Sequence, residues 1–102
     1  MANEDFDKAV ACFRNAIRSD ERHYNAWYGL GAIYHRQEKY DLAEKYLKKA
    51  LKINEKNTDA LNWLAIIYHN LGQDEKAKEM LEKSLKINPD QPKTRERLKE
   101  LE

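Results

Sequence analysis

A shift of 34 residues lays this chain over itself. Tyr24–Asn57 aligns with Thr58–Gln91, and twelve of the 34 pairs are identical: Ala26/Ala60, Leu30/Leu64, Ile33/Ile67, Tyr34/Tyr68, His35/His69, Ala43/Ala77, Leu47/Leu81, Lys49/Lys83, Leu51/Leu85, Lys52/Lys86, Ile53/Ile87 and Asn54/Asn88. Chance would supply roughly two or three at this composition. The register extends backwards through Ala9, Phe13 and Ile17, and forwards to Leu98. A period of this length means one supersecondary unit repeated, with each copy burying its apolar face on the next.

Within the unit the apolar spacing is helical. Trp27, Leu30 and Tyr34, then Ala43, Leu47, Ala50 and Leu51, trace two amphipathic helices with a break near Gln37–Lys39. In the second unit the break falls at Leu71–Gly72, where glycine suits a left-handed helix end. Pro89 cannot continue a helix, and Asn57 or Thr58, with Gln91 and Pro92, suit the next helix start. The spacing predicts six helices, over residues 4–18, 24–37, 40–53, 58–71, 74–87 and 92–101.

Composition narrows the function classes. Lys+Arg 19 against Asp+Glu 18 nearly cancel, so no strong field draws nucleic acid or an anionic membrane. Three Gly and two Pro are too few for a turn-rich β fold. No apolar run approaches the roughly 18 residues of a membrane span, and the acidic start carries no apolar leader. One cysteine, Cys12, excludes an internal disulfide framework and fits a reducing compartment. The expectation is an intracellular chain, cytoplasmic or nuclear.

The pattern resembles the tetratricopeptide repeat, a 34-residue helix–turn–helix unit reading W-x2-L-G-x2-Y, then A-x3-F-x2-A, then P. The first full unit supplies Trp27, Leu30, Gly31, Tyr34, Ala43, Leu47 and Ala50, with Glu55 in place of Pro. The second supplies Leu61, Leu64, Ala65, Tyr68, Ala77, Leu81, Ser84 and Pro89. The N-terminal piece matches only a second helix, through Ala9, Phe13 and Ala16. The resemblance implies an all-α solenoid of antiparallel helix pairs: a half-repeat helix over 4–18, repeats over 24–57 and 58–91, and a capping helix over 92–102.

Chemistry-bearing residues fall away beside this reading. "GLG" at Gly29–Gly31 lies mid-helix with no strand upstream, so it is no phosphate loop. Gly31 and Ala65 share one position and are small because a neighbouring helix comes close; otherwise a mid-helix glycine costs about 1 kcal/mol. His35 and His69 occupy successive first helices, but no carboxylate or cysteine in their row completes a four-ligand site. His23 has no obvious partner. Cys12 shares its place with Tyr46 and Met80 and reads as semi-buried. Glu and Lys at three- and four-residue spacings read as solvated faces. No catalytic constellation, metal site or cofactor motif emerges, so the chain reads as non-catalytic.

Recognition remains. The resemblance implies that the first helix of each pair lines a concave groove. Groove positions map to Asn25, Tyr28, Gly29, Ala32, His35 and Arg36, then to Asp59, Asn62, Trp63, Ile66, His69 and Asn70. One subfamily grips the C-terminal carboxylate of chaperone peptides with Lys, Asn and Arg. Tyr28, Ala32, Trp63 and Ile66 stand at those places here, against such a clamp. Trp63 has two readings: an anchor for a partner, beside Ile66, Tyr28 and Ala32, or an indole folded over Ile67 and the neighbouring helix. A sheltered aromatic patch favours the anchor.

The first helix lacks the partner that precedes it in the repeat, which leaves a flank around Phe6, Val10 and Phe13 as a possible self-association edge. The last helix, highly charged with Leu98 and Leu101 on its inner side, has the make-up of a solubilising cap. Residues 5–53, through "ACFRNAIR", "RHYNAWYGLG" and "AEKYLKKAL", resemble the repeats of a scaffold subunit of the anaphase-promoting complex. Residues 54–91 are closer to consensus repeats, which implies a trimmed, redesigned or chimeric sequence or a natural small repeat protein. The expected function is a scaffold that docks a peptide or helix in its groove, or alternatively a homodimer; neither nucleic acid nor membrane is an expected partner.

Overall fold

The computed structural model describes residues 2–102, with side chains from residue 5 onward. Six helices follow one another: α1 (Ala2–Ser19), α2 (Tyr24–Arg36), α3 (Tyr40–Ile53), α4 (Thr58–Asn70), α5 (Asp74–Ile87) and α6 (Pro92–Leu101). Strands are absent among the described residues. Helices α2 and α3 form one antiparallel pair and α4 and α5 the next, and α3 packs on α4 to join them. Helix α1 leans on α2 at one end and α6 on α5 at the other. The result is an all-α solenoid 39 × 27 × 20 Å in extent.

Side chains start α2 and α4. The Asn57 carboxamide oxygen accepts from the amides of Asp59 (2.9 Å) and Ala60 (3.2 Å), a cap that contributes about 1 kcal/mol. His23 caps α2 in the same way, its Nδ1 accepting from the Ala26 amide at 3.1 Å. That is the partner the sequence did not offer for His23, because a histidine cap leaves no sequence signature. Helices α3 and α5 have no side-chain cap.

The turns between paired helices are the same device built twice. Lys39 N donates to Tyr34 O (2.9 Å) and Glu38 N to His35 O (3.0 Å); one repeat on, Gln73 N donates to Tyr68 O (2.7 Å) and Gly72 N to His69 O (3.0 Å). Both are Schellman closures, which require a left-handed residue after the helix. Gly72 supplies it at φ 76°, and Glu38 takes the same conformation at φ 61°.

The core runs along the seams between helices: Leu30, Tyr34, Ala43 and Leu47 from one pair, Leu64, Ile67, Tyr68, Ala77 and Leu81 from the next. Each fully buried leucine stabilises by about 1.5–3 kcal/mol. Gly31 belongs to this seam, since a Cβ there would stand 2.5 Å from Leu47 Cγ. Gly29, expected in the groove, is instead covered by α1: a Cβ there would run into the Phe13 ring.

Cys12 corrects the sequence reading. It is exposed, whereas Tyr46 at the same repeat position packs on Trp27 and Tyr34 of its own pair. Among the described residues no helix stands beside α1 to cover it in that manner. Ala9 and Ala16 are half-buried for the same reason, where Ala43 and Ala50 are fully buried.

Candidate interaction surface

Helices α2 and α4 lie side by side, and their shared face brings together most of the residues singled out from sequence. Its centre is aromatic. Tyr24 and Tyr28 stack with centroids 5.8 Å apart, and Trp63 packs against the core while keeping part of its surface in solvent. His35 meets the Trp63 ring edge-on, at 4.9 Å and 74°. Trp63 is therefore both packed and accessible.

The origin of this shelf lies in an exchange of bulk. The pair Phe13 and Gly29 recurs one repeat later as Leu47 and Trp63. In the first instance a large ring on the second helix covers a glycine on the first. In the second, the smaller leucine sits on the second helix and the large ring on the first. Trp63 is thus carried on α4, towards Tyr28 and His35 of α2.

Burial tunes the polar groups here. Desolvation raises the phenols of Tyr24 and Tyr28 above their usual range, and the nearby Asp59 carboxylate adds to it in both; the Trp63 indole N–H opposes it at Tyr28. The Tyr24 hydroxyl is buried without a hydrogen-bond partner. Desolvation lowers the pKa of the His35 imidazole and so disfavours its protonated form. Its Nε2 lies 3.4 Å from Asn70 Nδ2, and its Nδ1 is buried and unpartnered.

The two equivalent histidines have different partners. His69 is exposed and pairs with Asp74 Oδ1 at 2.9 Å. Asp74 stands where Tyr40 stands in the first repeat, and Tyr40 lies against His35 at 5.6 Å. One position thus carries an aromatic contact in one repeat and a polar one in the next. Arg36 is exposed at the rim, and Ala32 is half-buried between Tyr28 and His35 along α2.

Helix α6 completes the face. Ile66 and His69 join Arg97, Glu100 and Leu101, over a floor of Ala65 and Leu81, around a cleft of about 370 Å³. Asn62 is tied into a network that seats α6: its Nδ2 donates to Gln91 Oε1 at 2.9 Å, and Thr94 Oγ1 donates to Asn62 Oδ1 at 3.4 Å. Gln91 Nε2 in turn donates to the Ser84 carbonyl (2.9 Å) and the Asn88 carbonyl (2.7 Å). Sequence reasoning missed this network. Its one signal was Ser84 in a slot that holds Ala50 in the first repeat, a buried hydroxyl in need of a partner. Among the described residues no group of three or more His, Cys, Asp or Glu could hold a metal, and no helix is long and apolar enough to cross a membrane.

Comparison with known proteins agrees with this architecture. Over a matched stretch of 39 residues the chain is 54% identical to Protein bimA of Emericella nidulans, covering 38% of this chain and 5% of that protein. It is 61% identical over 33 residues to anaphase-promoting complex subunit 3 of Schizosaccharomyces pombe, covering 32% and 5%. The matched stretch is thus about a twentieth of either relative's length. Among solved structures, the first TPR of Spaghetti (RPAP3) bound to an HSP90 peptide is similar over 98% of this chain and 79% of that one, with TM-score 0.90 and 21% identity. The MamA protein is similar over 94% and 52%, with TM-score 0.88 and 23% identity. At those identities the likeness is one of fold. Models of the tetratricopeptide repeat match residues 1–58 and residues 34–99. Two overlapping matches, a 34-residue period and paired antiparallel helices leave one assignment: the chain belongs to the tetratricopeptide repeat family.

Proposed function

We propose that this chain is a non-catalytic protein-interaction module that docks a peptide or helix across the face made by α2, α4 and α6. Trp63, Tyr28 and Ile66 form the apolar anchor, with Ala32 between them. Arg36, His35, His69 and Asn70 give polar contacts, and Asn62 holds α6 in place beside them. The observation that carries this reading is the half-buried aromatic shelf of Tyr28, Trp63 and His35, continuous along α4 with the cleft at Ile66. Tryptophan and tyrosine in such sheltered, partly wet settings dominate binding energy in interfaces. The similar structure with an HSP90 peptide supports peptide docking as a class, and the relative that is a subunit of the anaphase-promoting complex supports a protein partner inside a larger assembly.

The test is a random peptide library selected on the chain and counter-selected on Trp63→Glu. Peptides that bind the parent and lose at least about tenfold with Trp63→Glu or Arg36→Glu, both checked for helicity, support the groove. Enriched peptides indifferent to both changes overturn it.

A second reading, self-association through α1, is supported by one observation: Cys12 is exposed and Ala9 and Ala16 are half-covered where their counterparts are fully buried. Phe6 and Val10 lie along that helix. Sedimentation equilibrium over a hundredfold concentration range decides between a free and a paired edge.

A further inference from the structure

Away from the groove, a second cleft of about 470 Å³ opens between the C-terminal halves of α3 and α5. Leu51, Leu61 and the 41% exposed Ile87 give it an apolar floor. Lys48, Lys52, Lys83 and Lys86 line it against one carboxylate, Glu55. Lys52 and Lys86 also offset the negative ends of α3 and α5. Lys83 does not; with Glu79 it belongs to a solvated face of α5, and its place at the cleft has a second account.

The preceding repeat supplies one. Shifting by 34 residues, Leu61 corresponds to Trp27, Lys83 to Lys49 and Glu55 to Glu21. At Trp27 the indole N–H donates to the Glu21 carbonyl at 2.9 Å, and the Lys49 ammonium lies 5.6 Å from the ring centre. An aromatic ring, a backbone acceptor and a cation over the ring make one assembled unit. In the second repeat the acceptor and the cation positions persist, and the ring is gone. Leucine is shorter than tryptophan, and Leu61, Glu55 and Lys83 all line the cleft.

We propose that the cleft beside Leu61 is a docking site for the tryptophan side chain of an acidic peptide segment. The indole takes the place that Trp27 fills one repeat earlier, over Leu51, Leu61 and Ile87, with Lys83 above its face and the Glu55 carbonyl accepting its N–H. Flanking Asp or Glu residues of the ligand meet Lys52 and Lys86, which fixes the sign of the partner's charge. This site is independent of the groove, and neither reading needs the other.

Methyl-resolved NMR tests it with three blocked tripeptides: acetyl-Asp-Trp-Glu-amide, the same with Leu for Trp, and acetyl-Lys-Trp-Lys-amide. The first should shift the methyl signals of Ile87, Leu51 and Leu61, in a salt-sensitive manner, and the other two should not. Leu61→Trp, which fills the cleft from within, should abolish the response. Lys83→Glu should weaken it about fivefold or more, and because Lys83 is exposed that variant keeps the fold if Leu61→Trp does not. Equal shifts from the leucine peptide, no shifts at the three methyls, or shifts confined to Trp63 and its neighbours would each overturn the proposal.

Discussion

The imidazole of His35 stands edge-on to the indole of Trp63, with ring centres 4.9 Å apart and planes at 74°. One histidine thereby couples the protonation of α2 to the aromatic shelf carried on α4. Burial lowers its pKa below 6.5, so as pH falls the unfolded chain takes up the proton first. The sign follows: the His35 contribution is fully present above about pH 7 and is lost progressively below about pH 6.5. Urea midpoints at about pH 7.5 and about pH 5.5 should therefore fall for the parent and fall less for His35→Asn. Equal pH sensitivity in the two would detach His35 from the effect.

Glu38 and Gly72 close equivalent turns in the same left-handed conformation, and only glycine adopts it freely. Relief of that strain is worth about 1 kcal/mol and is partly offset by the greater freedom of glycine in the unfolded chain. Glu38→Gly should thus stabilise by about 0.5 kcal/mol, and Gly72→Ala should destabilise by about 1 kcal/mol. Thermal unfolding of the two variants measures both, and a loss of stability in Glu38→Gly would contradict the equivalence of the turns.

Gln91 is the joint through which α6 is held. Replacing it with leucine leaves the Asn62 amide and the Ser84 hydroxyl without their partner, at a cost of about 1–3 kcal/mol. Adding Ser84→Ala, which restores the residue type of Ala50, removes one orphaned group and should recover part of the loss. Hydrogen exchange should localise the effect to α6 and the end of α5. Uniform acceleration across all six helices would show that the network serves global stability and not the seating of α6.

The helices were legible in the sequence because their signal is local. Periodicity at 3.6 residues and the 34-residue repeat place α3, α5 and α6 residue for residue, and the ends of the other three within one or two positions. Features that depend on a neighbour in space were not legible. Cys12 matches Tyr46 in register, yet its burial depends on a helix that, among the described residues, is not beside α1. His35 and His69 match each other, but Tyr40 and Asp74 turn one towards an aromatic contact and the other towards a hydrogen bond with a carboxylate. Of the candidate site, the aromatic centre at Tyr28 and Trp63 could be read from position. The commitment of Asn62 to Gln91 could not, because it spans 29 residues and is made by side-chain ends.

Phe6 and Val10, which the sequence groups as one edge, should behave differently. Val10 packs against the core cluster, and Phe6 is half-buried outside it. A charge at Val10 loses its solvation on folding, so Val10→Asp should destabilise by about 2 kcal/mol or more. Phe6→Asp should cost under about 1 kcal/mol and, if α1 self-associates, shift the sedimentation equilibrium to monomer. Cys12 should react with a thiol reagent in the folded protein nearly as fast as in urea, and protection that grows with protein concentration would mark α1 as the paired surface.

Gly31 permits a close approach between α2 and α3, and its partner Leu47 is fully buried. An alanine Cβ would stand 2.5 Å from Leu47 Cγ and 2.9 Å from Cδ2, and a side chain with no exposed surface has little room to yield. Overpacking of this kind costs about 1–3 kcal/mol, against about 1 kcal/mol gained from helix propensity. Gly31→Ala should therefore destabilise by about 1 kcal/mol. Leu47→Ala alone should cost about 2–5 kcal/mol through the cavity it leaves. In the double variant the added methyl enters that cavity, so Gly31→Ala should change sign and become stabilising, with a coupling of about 1–3 kcal/mol. Additive effects would mean that Leu47 moves aside freely. The glycine would then need a reason other than contact between α2 and α3.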